Sequence, residues 1–185
     1  MTAIRPRFWT VEEYHQMREK EVLHPEERVE LLQGKILQIA PKNPPHAATN
    51  LCAANCLNQC LAGKALVRIQ DPIALSAFSE PEPDLAIVQR KEGFYRDRHP
   101  APDDVYLLIE IADTTLNFDR DQKAPIYAEA DIPEYWILDV NTKQVYVFRQ
   151  PHQGRYQEER ILGETATISL LAFPEVTIAV AQLFA

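Results

Sequence analysis

Two carboxylates stand where an apolar pattern has no use for them. Asp84 opens the run Pro83-Asp84-Leu85-Ala86-Ile87-Val88, and Glu110 interrupts Val105-Tyr106-Leu107-Leu108-Ile109-Glu110-Ile111-Ala112. Both runs are short, rich in Val, Ile and Leu, and bounded by proline and charged residues, which reads as two buried strands. A carboxylate inside a strand core is costly unless it is paired, hydrogen-bonded or metal-bound. On neighbouring strands, two such charges about 4 Å apart repel by roughly 4 kcal/mol at an effective dielectric of 20. A divalent cation between them removes that cost, and hard oxygen donors with few companions suit Mg²⁺. The competing reading is a buried polar network or exposure at a sheet edge.

Lys123 is the third charge of interest, in Asp121-Gln122-Lys123-Ala124-Pro125-Ile126-Tyr127. Proline fits the first turn of a helix, where its missing N–H is not needed. The helix is therefore expected to start near Asp121 or Gln122, leaving Asp119 outside it. Lys123 then sits, partly exposed, at a helix N-terminus, where the macrodipole disfavours a cation and a nearby anion would explain it. The plainer alternative is an i, i+4 pair with Asp119, worth roughly 0.3–0.5 kcal/mol. Tyr127 lies one turn further on the same face. Glu30 is either a further acid or an ordinary exposed strand residue. His46, after Pro44-Pro45, is either a base or the opening residue of a helix. Gln70 closes a strand, at or away from the site.

In order along the chain, Pro83-Asp84, Glu110 and Lys123 resemble the PD-(D/E)XK nuclease superfamily. The likeness is greater to its bacterial Uma-type restriction-endonuclease-like branch, in which the lysine has moved to the start of the next helix. Val29-Glu30-Leu31-Leu32-Gln33-Gly34-Lys35-Ile36 is similar to that branch's amino-terminal motif. Lys123 to Tyr127, followed by Ile132-Pro133-Glu134-Tyr135-Trp136-Ile137-Leu138-Asp139, is similar to its signature, and His46 falls where the family often has a histidine. The match runs from about Phe8 to Ala185. Ala112 occupies the superfamily's usual lysine position, and Asp113-Thr114-Thr115 replaces a Ser-Pro-Ser-type loop.

The resemblance implies an α/β fold with a restriction-endonuclease-like core: a central mixed sheet flanked by helices, plus an N-terminal helix and hairpin, as one nuclease-like domain over 1–185. It implies Mg²⁺, or Mn²⁺, on Asp84, Glu110 and the main-chain carbonyl of Ile111. Lys123 would orient the attacking water, with Glu30 as an additional acid. The implied reaction is hydrolysis of DNA phosphodiester bonds, with Arg96, Arg98, Tyr127 and His46 as substrate contacts. A homodimer follows from the two sites that double-strand cutting needs. Two other classes stand beside this reading. One is a nuclease-fold module whose site has decayed, used in DNA binding or assembly. The other is a metal-dependent hydrolase of another phosphoester.

The elements that must position these residues are legible to different degrees. Thr10-Val11-Glu12-Glu13 has the form of a capping box for a helix to about Glu19, with Phe8 and Trp9 placed to staple it. Arg28–Gln33 and Lys35–Ile39 read as a hairpin turning at Gly34. His46–Leu61 reads as a helix with Leu51, Ala54, Leu57 and Leu61 on its apolar face and Gly63 at C′. Its Cys52, Cys56 and Cys60 form one stripe, expected as buried free thiols, with an iron–sulfur site as the lesser alternative. Ala65–Ile69, Tyr135–Asp139, Gln144–Arg149 and Tyr156–Leu162 read as strands. Gln89–Asp103 is the densest basic stretch, either a solvated loop or a DNA contact.

Composition sets the outer bounds. At 185 residues the chain has one domain's length, able to bury about 70% of its unfolded surface. No apolar run reaches the ~18 residues of a membrane span and Met1–Arg7 lacks an apolar signal core, so a cytoplasmic protein is expected. The net charge of −8 argues against non-specific nucleic-acid binding through the global field, though not against a local basic cleft.

Overall fold

The computed structural model describes residues 5–39 and 41–185. After helix α1 (Val11–Glu19) comes the hairpin β1 (Val29–Leu32) and β2 (Lys35–Gln38), and then helix α2 (Pro44–Cys60). Strands β3 (Ala65–Ile69), β4 (Leu85–Gln89) and β5 (Val105–Ala112) lead to a helical run: α3 (Leu116–Phe118), a π-helical turn (Asp119–Lys123) and α4 (Ala124–Glu129). Strands β6 (Glu134–Asp139), β7 (Gln144–His152) and β8 (Arg155–Leu162) follow, and then a second hairpin, β9 (Thr167–Leu170) with β10 (Phe173–Ala179).

A six-stranded sheet in the order β3-β4-β5-β6-β7-β8 is the frame. All its pairs are antiparallel except β5–β6, which are parallel. A parallel pair needs a crossover, and the Leu116–Glu129 helical run supplies it. The central strands alternate between two apolar faces. Leu85, Ile87, Leu107 and Ile109 pack with Ala53, Ala54 and Leu57 of α2 and with the C-terminal hairpin. Ala86, Val88 and Leu108 pack on the other face with Ala124, Ile126 and Tyr127 of α4. This is the mixed sheet with flanking helices that the resemblance implies.

The N-terminal capping box forms as expected: Thr10 Oγ1 accepts from the Glu13 amide, and Glu13 reaches back to the Thr10 amide at 3.0 Å. Trp9 joins Tyr14, Val29 and Leu31 in a small cluster, while Phe8 stays half exposed. Three expectations need correction. Leu51 is 63% exposed, so the buried face of α2 is Ala53, Ala54 and Leu57. The cap of α2 is Leu61, which places Gly63 one residue beyond C′. The cysteines are only half-buried; Cys52 Sγ lies 3.2 Å from the Phe184 carbonyl oxygen, and burial, then Cys60, push the Cys56 thiol up to about 12. A thiol so placed is a packing group. The strand Thr167–Leu170 was not anticipated; its turn-bounded run is too short to carry a period.

Candidate active site

Asp84 immediately precedes β4, and the register Leu85↔Ile109 continues to set it opposite Glu110. Directly opposed residues of an antiparallel pair share a face, here the one that packs on α4. Asp84 is held from three directions. The Ile111 amide donates to its Oδ2 at 3.0 Å, Gln70 Nε2 to its Oδ1 at 2.9 Å, and His46 Nε2 to its Oδ2 at 3.1 Å. Burial alone would raise its pKa, but the His46 and Gln70 bonds and the Ile111 amide hold it below the usual carboxylate range. An ionised carboxylate only accepts, so His46 carries its proton on Nε2; its buried Nδ1 has no partner.

Glu110 Oε1 accepts from Lys123 Nζ at 3.0 Å and from the Tyr127 hydroxyl at 2.8 Å. Lys123 also reaches Glu30 Oε1 at 3.1 Å, and Glu30 accepts from the Glu82 amide at 3.2 Å. Asp119, which sequence reasoning set outside the helix, is the fourth acid. It is buried beside the same cavity and takes the Thr115 hydroxyl at 2.6 Å.

Three buried carboxylates, Glu110, Glu30 and Asp119, thus act on one ammonium, and Asp84 is buried in the same cavity wall. Burial pushes Glu110 up to about 8 against the pull of Lys123, with Asp119, Asp84 and Glu30 adding to the rise. Asp119 is raised to about 6 for the same first reason. Burial pulls Lys123 down, but Glu110, Glu30 and Asp119 more than reverse it, leaving its pKa above the ordinary lysine range. Burial thus favours the neutral acid form at Glu110 and Asp119, and added positive charge would favour the ionised form.

The π turn explains how Lys123 arrives there. Pro125 lies inside the helical run, not in its first turn, because the run begins at Leu116. The Ala124 amide bonds back five residues to Asp119, and the extra residue in that turn accommodates the missing Pro125 donor. Lys123 is consequently mid-run and 6% exposed, not at a helix N-terminus and not partly exposed. The plain i, i+4 ion pair with Asp119 does not form within 4 Å; the lysine is taken by Glu30 and Glu110.

Around these groups lies a cavity of about 380 Å³. Asp84, Glu110, Ile111, Lys123, Glu30 and His46 all line it. Tyr127 does not; it is wholly buried behind Glu110 and positions that carboxylate rather than touching a substrate. Arg96 and Arg98 are not at the cavity. They belong to the β4–β5 connection, at the opposite end of those strands from Asp84 and Glu110. Arg98 pairs with Asp104 at 2.7 Å and Arg96 with Asp97 at 3.3 Å, so the loop's charge is spent locally.

Among the described residues no three His, Cys, Asp or Glu side chains form a metal-binding cluster. The family-implied ion would therefore rest on two carboxylates, a carbonyl and water, which is how Mg²⁺ usually binds. The donors fit in kind: Asp84, Glu110 and Ile111 bring hard oxygens to the lining of one cavity.

The family model described as Uma2, putative restriction endonuclease, matches residues 11–181. The chain belongs to the Uma2 family. The crystal structure of a putative nuclease belonging to DUF820 from Anabaena variabilis superposes on this Uma2 chain with a TM-score of 0.74. It has 17% identity, and the match covers 95% of this chain and 97% of that one. At that identity the likeness establishes the fold. No curated protein matches. In this Uma2 chain the signature residues divide between two jobs. Lys123 belongs to the cavity. Glu134 is fully buried on β6 and takes Arg149, Trp136 Nε1 and the Leu171 amide, which ties the C-terminal hairpin to the sheet.

Proposed function

We propose that the protein is a metal-dependent endonuclease that hydrolyses DNA phosphodiester bonds in the Asp84–Glu110 cavity. The observation that carries this reading is the excess of buried carboxylate around one lysine, facing open space. A structural ion pair would be matched in charge; this one is not. Asp84, Glu110 and the Ile111 carbonyl would hold Mg²⁺, or Mn²⁺. When bound, the ion supplies a more acidic water and a polarised phosphoryl oxygen.

The chain's own groups have separable roles. His46, Gln70 and the Ile111 amide keep Asp84 ionised and aimed. Tyr127 fixes the Glu110 rotamer. Lys123, the one buried cation among the described residues lining the cavity, would orient the attacking water and offset charge developing on the phosphate. Glu30 holds the lysine from its other side. The intact set of Asp84, Glu110 and Lys123 weighs against a decayed module.

Cleavage assays on single- and double-stranded DNA with Mg²⁺, Mn²⁺ or EDTA test this. Cutting with either metal, none with EDTA, and none by Asp84→Asn or Glu110→Gln is expected. Undiminished cutting in EDTA, or by either variant, would sink the proposal.

A further inference from the structure

The cavity above the carboxylate floor has two features that the hydrolytic chemistry does not use. The first is a pair of cations. Arg28, just before β1, and Lys42, just before α2, both line it, and neither forms an ion pair among the described residues. Lys42 is partly buried, and its pKa is lowered by burial and then by Arg28 beside it. Glu82 and Asp84 are near enough to act on them, but no carboxylate of the described residues closes on either cation within 4 Å, which leaves their donors to an anion from outside.

The second feature is apolar. Phe118, at the end of α3, is 38% exposed and lines the same cavity with Leu37 and Ile39. Single exposed apolar side chains are ordinary, but this ring is set into the wall of a charged cavity and belongs to neither core.

The reacting groups are buried at the bottom of a space of about 380 Å³, the size range that encloses a small ligand. An unpaired nucleotide is of a size to enter such a space with its phosphate toward Lys123, whereas a base stacked and paired in a duplex enters only by leaving the stack.

We infer that the cavity takes an unpaired nucleotide of single-stranded DNA, its base against Phe118 and a flanking phosphate between Arg28 and Lys42. The inference rests on the nuclease reading for the purpose of the cavity, but not for its size or lining. Aromatic stacking with backbone cations is the usual way a strand is held without base pairing. The acidic net charge of −8 is consistent with this, since the local pair and not the global field carries the attraction.

The test is fluorescence anisotropy in EDTA with a short labelled single strand and its blunt duplex, alongside cleavage in Mg²⁺. Wild type should bind the single strand about tenfold or more tighter than the duplex. Phe118→Ala should weaken single-strand binding by roughly 5- to 100-fold, with Phe118→Trp restoring it. Arg28→Ala and Lys42→Ala should each lower the slope of log affinity against log salt by about 0.7, the value for one phosphate contact on a single strand. Equal binding of duplex, or unchanged binding by Phe118→Ala, overturns the inference. If Phe118→Ala cuts duplex as wild type does and binds single strand unchanged, this inference falls and the nuclease reading stands. If single-strand binding is lost in Phe118→Ala but no form cuts DNA, the nuclease reading falls and this one stands.

Discussion

Glu110 and Lys123 are opposite halves of one electrostatic arrangement, and their substitutions should behave differently. Glu110 has a folded pKa of about 8 against an ordinary 4.5. Between those values the folded chain holds a proton that the unfolded chain has released, so stability falls as pH rises through that window. Thermal melts in EDTA should therefore give a lower Tm at pH 8 than at pH 5.5. Glu110→Gln should flatten that slope, leave the fold intact and abolish cleavage; a steep slope surviving in the variant would place the titration elsewhere. Lys123→Ala leaves buried carboxylates without their cation. A loss of about 3 kcal/mol or more is expected at pH 8, less at pH 5.5 where Glu110 is protonated, with cleavage down roughly 10²–10³-fold. Urea denaturation at the two pH values and single-turnover cleavage measure both. Asp84 and Glu110 stand out in the sequence because each breaks an apolar pattern, whereas Glu30 stands out only through the family resemblance. Asp119 does not stand out, because it sits among Asn117, Arg120 and Asp121, where a carboxylate is unremarkable until the chain bends it inward.

The helical run Leu116–Glu129 shows where local rules mislead. By sequence alone Pro125 marks a helix start, since that is where proline is cheapest. In the structure the π turn Asp119–Lys123 absorbs it within the run. One extra residue in that turn places Asp119, Lys123 and Tyr127 around Glu110 together. Pro125→Ala restores the amide and removes the reason for the wide turn. Regular α-helix over this stretch would rotate Lys123 by about 100°, one residue's step in 3.6 per turn. The expected result is a lower Tm at pH 8, since Lys123 leaves its carboxylates, with cleavage reduced about tenfold or more. Unchanged cleavage would mean that the π turn is held by tertiary packing and not by proline. The strands were easier: β4, β5 and β6 declare themselves as short, mainly apolar runs, whereas β9 required its partner β10 to be recognised.

For the molecule as a whole, Glu134 and Arg149 fasten the frame. Arg149 Nη2 stands 2.6 Å from Glu134 Oε1 and also donates to the Ser169 carbonyl at 2.6 Å, so one buried pair joins β6, β7 and the C-terminal hairpin. Glu134→Ala should cost about 3–5 kcal/mol, the scale for stranding one member of a buried pair. Mg²⁺ affinity of the folded protein should not change. A calorimetric titration giving weaker metal binding at a temperature where the variant is folded would contradict that separation. The sheet and its flanking helices were readable from the sequence as a class, because hydrophobic period and strand length set them. The Glu134 network was not, because its partners lie on strands whose pairing only the fold reveals.

The β1–β2 hairpin carries a less obvious consequence for insertions and deletions. Its turn has Gln33 and Gly34 at φ of 47° and 74°. A Cβ added at Gly34 would lie 2.5 Å from that of Phe8, and the Gly34 amide and carbonyl are bonded to Phe78 and Trp9. Surface hairpin tips usually accept an added residue, but this one is gripped on both sides. Strand faces alternate with every residue, so a one-residue slip that carries β1 along would turn Glu30 away from Lys123, 93 positions distant in sequence. In a scan of single-residue insertions along the chain, the Gln33–Gly34 turn should stand out as an intolerant surface turn. Activity there would be lost through a change of phase, with every residue of the cavity still present in the chain.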